Sequence, residues 1–184
     1  TCQFGDYIRY IRKTNDEEMN KVWKKLLKDV EQPTLSFNKK QSNLSQDNCV
    51  LYWEFSHNES KELRSLAVKH QTTLNNVLQL AWALLLKVWS GKDQSVFGII
   101  SSGRTPQLIN SEKIVGLLIN TIPMVVQFKE GDTLSDTLKN TQSTFNEILD
   151  YAHCPLVELK KKTQLQSDEK LFEKYCFTTQ EIDF

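Results

Sequence analysis

Histidines and cysteines are few in this 184-residue chain, and they are scattered. Cys2, Cys49, Cys154 and Cys176 have no C-x-x-C spacing, which argues against a zinc site or a secreted disulfide framework and predicts free thiols in a reducing compartment. His57, His70 and His153 form no metal-binding motif, and no Gly-rich phosphate loop or G-x-S-x-G elbow is present. Charge of one sign is also missing. The 23 basic and 23 acidic residues cancel, so no field gathers nucleic acid or anionic lipid, and neither is expected as a partner. The longest apolar run, Leu80 to Leu86, falls far short of a bilayer span, and the N-terminus lacks the pattern of a signal peptide. A soluble, cytoplasmic protein without a membrane partner is the expectation. Thr rather than Met at position 1, directly followed by patterned sequence, reads as a piece of a longer protein.

What is present is ordinary globular composition, 39% hydrophobic and 25% charged, enough for one domain spanning 1–184 with its own core. The stretch Val115 to Val126, V-G-L-L-I-N-T-I-P-M-V-V, reads as a buried strand interrupted by Gly116, Asn120, Thr121 and Pro123. A buried Asn needs partners for its amide, and Pro withholds a ladder donor, so an open edge or a bulge is expected there. Asn120-Thr121 reads either as a turn between two short strands or as a polar kink lining a channel.

Along the chain, Phe4, Tyr7, Ile8 and Ile11 share a helical face. Asn15 with Glu18 starts a second amphipathic helix through Met19, Val22, Trp23, Leu26, Leu27 and Val30, which Pro33 ends. Its Lys21, Lys24, Lys25 and Lys28 make a solvated face. Residues 34 to 48 read as an exposed connection, and Cys49 to Phe55 alternates as a strand. Ser56 with Glu59 forms a capping box for a helix to about His70. Thr72 or Thr73 caps the next helix, which Gly91 closes; because it is apolar nearly all round from Leu80, it is expected to be the central helix, covered on most sides and packed on a sheet. Ser95 to Ser102 reads as a strand into a G-R-T-P turn, and 107–114 as a loop or a helical turn. Thr133 with Asp136 opens another helix, Pro155 a short one, and Leu171 to Thr179 a closing strand. The mixture predicts an α/β, or α+β layered, domain. Adjacent His153 and Cys154 invite a thiol-protease reading, but sequence neighbours point apart on most backbones, and no complete active site is visible.

Three of these stretches together resemble the condensation domains of nonribosomal peptide synthetases. Phe4-Gly5-Asp6-Tyr7-Ile8-Arg9-Tyr10 is similar to the family's Tyr-x-Asp-Tyr-Ala-x-Trp box. Val115 to Pro123 resembles Val-Gly-x-Phe-Val-Asn-Thr-x-Pro, with Leu118 in place of Phe. Ala152 to Leu156 resembles His-x-Asp-x-Pro-Phe-Glu, with departures at Cys154 and Leu156. The closing F-T-T-Q-E-I-D-F differs from the family's Phe-x-Asn-Tyr-Pro run.

The resemblance implies one of two lobes, each like chloramphenicol acetyltransferase, with a mixed β-sheet packed by helices, around a tunnel entered by carrier-protein pantetheine arms. The family's catalytic His-His-x-x-x-Asp-Gly belongs to the N-terminal lobe and is absent here, so the chain corresponds to the C-terminal lobe, with no catalytic residue of its own. Its implied partners are that N-terminal lobe and peptidyl carrier proteins. It binds no cofactor or metal directly; phosphopantetheine is presented by the carriers. Asn120 and Thr121, followed by Ser102, Gly103 and Arg104, are the candidate tunnel residues, able to supply walls and polar donors; Arg104 is equally well read as a surface turn residue or an ion pair to the other lobe. The Asn-Thr box resembles peptide-bond-forming members rather than epimerising or heterocyclising relatives. Alone, the fragment is expected to be inactive. A non-catalytic docking module and a single-lobe acyltransferase using His153 are the competing readings.

Overall fold

A computed structural model describes residues 3–13, 16–28, 30, 33–34, 53–104, 108–163 and 176–177. Helices α1 (Phe4–Lys13), α2 (Asp16–Leu26), α3 (His57–Lys69) and α4 (Leu74–Ser90) precede strand β1 (Gln94–Ser101). A 3₁₀ turn at Ser111–Lys113 leads to β2 (Asn120–Gln127), followed by α5 (Leu134–Leu149), α6 (Leu156–Lys162) and β3 (Cys176–Phe177). The sheet is mixed, in the order β2-β1-β3, with β1 antiparallel to β2 and parallel to β3.

Helix boundaries follow local chemistry. The Ser56 hydroxyl accepts from the Glu59 N–H while the Glu59 carboxylate accepts from the Ser56 N–H, and Thr133 with Asp136 repeats the reciprocal pair. Thr73, not Thr72, caps α4, and Gly91 closes it in the left-handed conformation at φ 67°. Thr72 instead accepts from Asn76, whose amide also donates to the Leu138 carbonyl at 3.1 Å, bolting α4 to α5.

One apolar core joins the helices to the sheet: Trp23 and Leu27 from α2 and its end, Leu80 and Leu86 from α4, Phe97 from β1, Ile122 and Met124 from β2, and Leu138 and Ile148 from α5. Pro123 sits opposite Gly98 on β2, which has β1 on one side and, among the described residues, no strand on the other. An edge tolerates the missing N–H, as its position in the apolar run predicts.

Five expectations need correction. The strand does not begin at Val115. β1 ends at Ser101 opposite Asn120, so residues 115–119 have no ladder to join, and Val115, Leu117 and Ile119 are 92, 82 and 63% exposed. Asn120-Thr121 is correspondingly not a turn but the start of β2. Helix α4 is not covered on most sides: α3, α5 and β1 take one face, while Val88 and Trp89 are 78 and 50% exposed. Thr34 is no exposed connector, because its N–H donates to the Val96 carbonyl and its hydroxyl accepts from the Val96 N–H, beside β1. Trp53 to Phe55 form no strand and are exposed. The rest of that expected strand, residues 35–48 of the connection, the Asn15 cap and all of the closing strand except Cys176–Phe177 lie outside the described residues.

Candidate functional site

The segments that carry the motifs meet beside the open end of β2. From β1 the chain turns through Ser101 to Arg104: the Ser101 hydroxyl accepts from the Gly103 N–H and the Ser102 hydroxyl from the Arg104 N–H, two local turns that redirect the backbone. Gly103 has φ 68°, and a Cβ there would lie 1.8 Å from the Leu118 carbonyl oxygen. The turn is pressed directly on the 115–119 loop.

Arg104 holds that loop from a second side. Its guanidinium donates to the carbonyls of Ser111 and Ile114, the latter at 3.1 Å. Among the described residues it is thus not an idle turn residue: it adds a second donor to the Ser111 carbonyl, which already accepts from the Ile114 N–H, and also donates to the Ile114 carbonyl.

Helix α1 forms the floor. Tyr7 is buried with Ile114 and Leu118 in a small second cluster, flanked by Ile8, Ile11 and Leu108. Burial pushes the Tyr7 phenol above its ordinary value, and neighbouring Tyr10 adds to the effect, so the ring stays neutral. A Cβ on Gly116 would lie 2.5 Å from the Phe4 ring, so the absence of a side chain is what lets the loop cross α1.

Asn120 closes the arrangement. Its Nδ2 donates to the carbonyls of Ala152 and Cys154, at 2.8 and 2.9 Å, on the turn between α5 and α6. His153, between these two residues, sets its ring edge-on to Tyr10 with centroids 6.0 Å apart. Cys154 is buried and its thiol lies 3.9 Å from the Pro155 carbonyl, in the position of a packing residue rather than a nucleophile. Thr121 is half-buried and pairs with Ile100 on β1.

The five candidate residues therefore bracket the 115–119 loop: the Ser102–Arg104 turn meets it through Gly103 at Leu118 and holds the chain just before it through Arg104, and Asn120 and Thr121 stand at its exit. Sequence reasoning missed what they hold. Nothing in the spacing signals that Asn120 bonds a turn some thirty residues on, or that Arg104 serves the Ser111 and Ile114 carbonyls. The only hint of the Tyr10 to His153 contact is that both residues stand in matched motifs.

A small mixed sheet packed by helices, with this crossing of loops at its end, defines an α/β layered fold. The Condensation domain family matches residues 1–181, and the chain belongs to it. Among characterised proteins it is 32% identical over 172 residues to bacitracin synthase 3 of Bacillus licheniformis and 30% over 167 residues to tyrocidine synthase 2 of Brevibacillus parabrevis. These alignments cover 91 and 90% of this chain but only 3 and 5% of the two relatives. Among solved structures, the first condensation domain of the calcium-dependent antibiotic synthetase, in complex with a substrate analogue, superposes with a TM-score of 0.72 at 14% identity. It covers 86% of this chain and 36% of that one. The condensation domain of the Monacolin K polyketide synthase MokA gives 0.64 at 15%, covering 90 and 42%. The fold is the chloramphenicol-acetyltransferase-like one that the motifs imply. Among the described residues, no helix is long and apolar enough to cross a membrane.

Proposed function

We propose that the chain is the C-terminal lobe of a condensation domain in a nonribosomal peptide synthetase, and that the complete domain forms an amide between two carrier-bound substrates. The amine of an aminoacyl thioester attacks the carbonyl carbon of an acyl or peptidyl thioester. A C–N bond forms, the C–S bond breaks, and the proton lost by the amine ends on the departing pantetheine thiol. Thioesters are already activated, so aligning two tethered reactants supplies much of the acceleration. The lobe contributes a wall to the passage in which they meet. Proton handling falls to the N-terminal lobe, phosphopantetheine arrives on peptidyl carrier proteins, and this chain alone is inactive.

One observation carries the reading: three segments distant in sequence converge on the chain leading into β2, and the loop they hold turns Val115, Leu117 and Ile119 outward. Apolar side chains fixed in place yet uncovered fit a wall completed by another part of the domain. A second reading, a module that docks a carrier protein without chemistry, is favoured by a different fact. Both Asn120 amide protons are engaged with backbone carbonyls, which leaves that side chain no free donor for an oxyanion.

The two readings separate in an assay of the complete domain with donor and acceptor carriers loaded. Amide on the acceptor carrier, detected by its intact mass, is the expected result. Carrier binding without any amide product supports the docking module instead.

A further inference from the structure

Asn120 is the residue whose bonding limits its chemistry most sharply. A side-chain amide has two N–H donors and one oxygen acceptor. Both donors are spent, on the carbonyls of Ala152 and Cys154 at 2.8 and 2.9 Å. Turning the amide over would set its oxygen against two carbonyl oxygens, so the orientation is fixed by the chemistry of its partners. The oxygen Oδ1 accepts no hydrogen bond among the described residues, and Asn120 is only half-buried, so that atom is not sealed away. The two carbonyls it grips lie either side of His153, whose ring packs on Tyr10.

We propose that Asn120 is a positioning residue that braces the His153 turn, and that the one group it offers a substrate is an acceptor oxygen, which takes an N–H of the carrier-bound substrate rather than stabilising an oxyanion. This rests on the functional reading above and narrows it. A group that can only accept cannot complete an oxyanion hole, which needs donors aimed at developing negative charge. It can receive either the amine of the aminoacyl acceptor or an amide N–H of the pantetheine arm.

Two substitutions separate the brace from the acceptor. Asn120→Asp keeps size and an accepting oxygen but loses both donors and repels the Ala152 and Cys154 carbonyls. Asn120→Ala loses everything. In the complete condensation domain with loaded carriers, both variants should lower kcat about 10- to 100-fold through misplacement of the turn. Only Asn120→Ala should also raise the KM for the acceptor carrier, by about tenfold, the loss of one hydrogen bond to a charged or amide N–H. Replacing the pantetheine amide by an ester in the acceptor abolishes that KM difference if the pantetheine N–H is the partner, and leaves it intact if the amine is. Equal KM values for the two variants with the native acceptor, or wild-type kcat in Asn120→Asp, overturn the inference while leaving the wild-type activity in place. A wild-type domain that makes no amide removes the functional reading first, and this inference with it. Should neither variant fold, the structure of the wild-type domain with a non-hydrolysable aminoacyl acceptor decides: Oδ1 at hydrogen-bond distance from a substrate N–H supports the proposal, and Nδ2 turned from the two carbonyls to the substrate overturns it.

Discussion

Gly103 carries the tightest single contact at the site. Its φ of 68° is a conformation that side-chain-bearing residues adopt at a cost of about 1–2 kcal/mol, and its missing Cβ leaves room for the Leu118 carbonyl. Gly131 has φ 86° but nothing within 4 Å of where a Cβ would stand. Gly131→Ala should therefore cost only the conformational part. Gly103→Ala adds a backbone clash of the kind that costs a further ~1–3 kcal/mol. Thermal melts of the two variants check this: the Gly103 variant should melt several degrees below the Gly131 variant, and equal Tm values would refute the close approach. The limits of sequence reasoning are clearest at this scale. Asn120 is conspicuous because an amide interrupts an apolar run, yet the polarity says only that partners exist. Which carbonyls they are depends on how α5 returns to the sheet, and that is a property of the fold.

At the scale of elements, the helices are the legible part, because their ends are written in local chemistry. Ser56 with Glu59, Thr133 with Asp136, and Gly91 each satisfy backbone groups within a few residues. The apolar stretch before β2 misleads because hydrophobicity marks a strand only where a partner strand continues, and β1 stops at Ser101. The outer face of α4 misleads for a related reason: an all-round apolar helix predicts a cover but not where that cover comes from. The α5 cap offers a quantitative check. Thr133→Ala removes the oxygen that accepts from the Asp136 N–H and should cost roughly 1 kcal/mol in denaturant melts. The Asp136 carboxyl is held below its ordinary value first by the Thr133 hydroxyl and then by the Thr133 N–H. A depressed folded-state value adds stability that is present above the unfolded carboxyl's titration and lost as pH falls through the folded one. Asp136→Asn should accordingly flatten the acid limb of the stability curve, most visibly below about pH 4. An unchanged slope there would show that the pair does not contribute.

For the whole molecule, the described residues turn apolar side chains outward on the 115–119 loop and on the Val88 and Trp89 face of α4. Exposed apolar surface finds cover. The isolated chain should self-associate, with a light-scattering mass that rises with concentration, and Leu117→Lys should reduce it; a concentration-independent monomer of 21.4 kDa would count against an uncovered interface. In the proposed function this chain supplies position and a wall, while the proton chemistry lies in a complementary half. The direct measurement mixes loaded donor and acceptor carriers with this segment alone, and in parallel with the segment joined to the rest of its condensation domain, and follows amide product by mass. Product only in the joined protein is the predicted result. Amide formed at the same rate by the segment alone would contradict it.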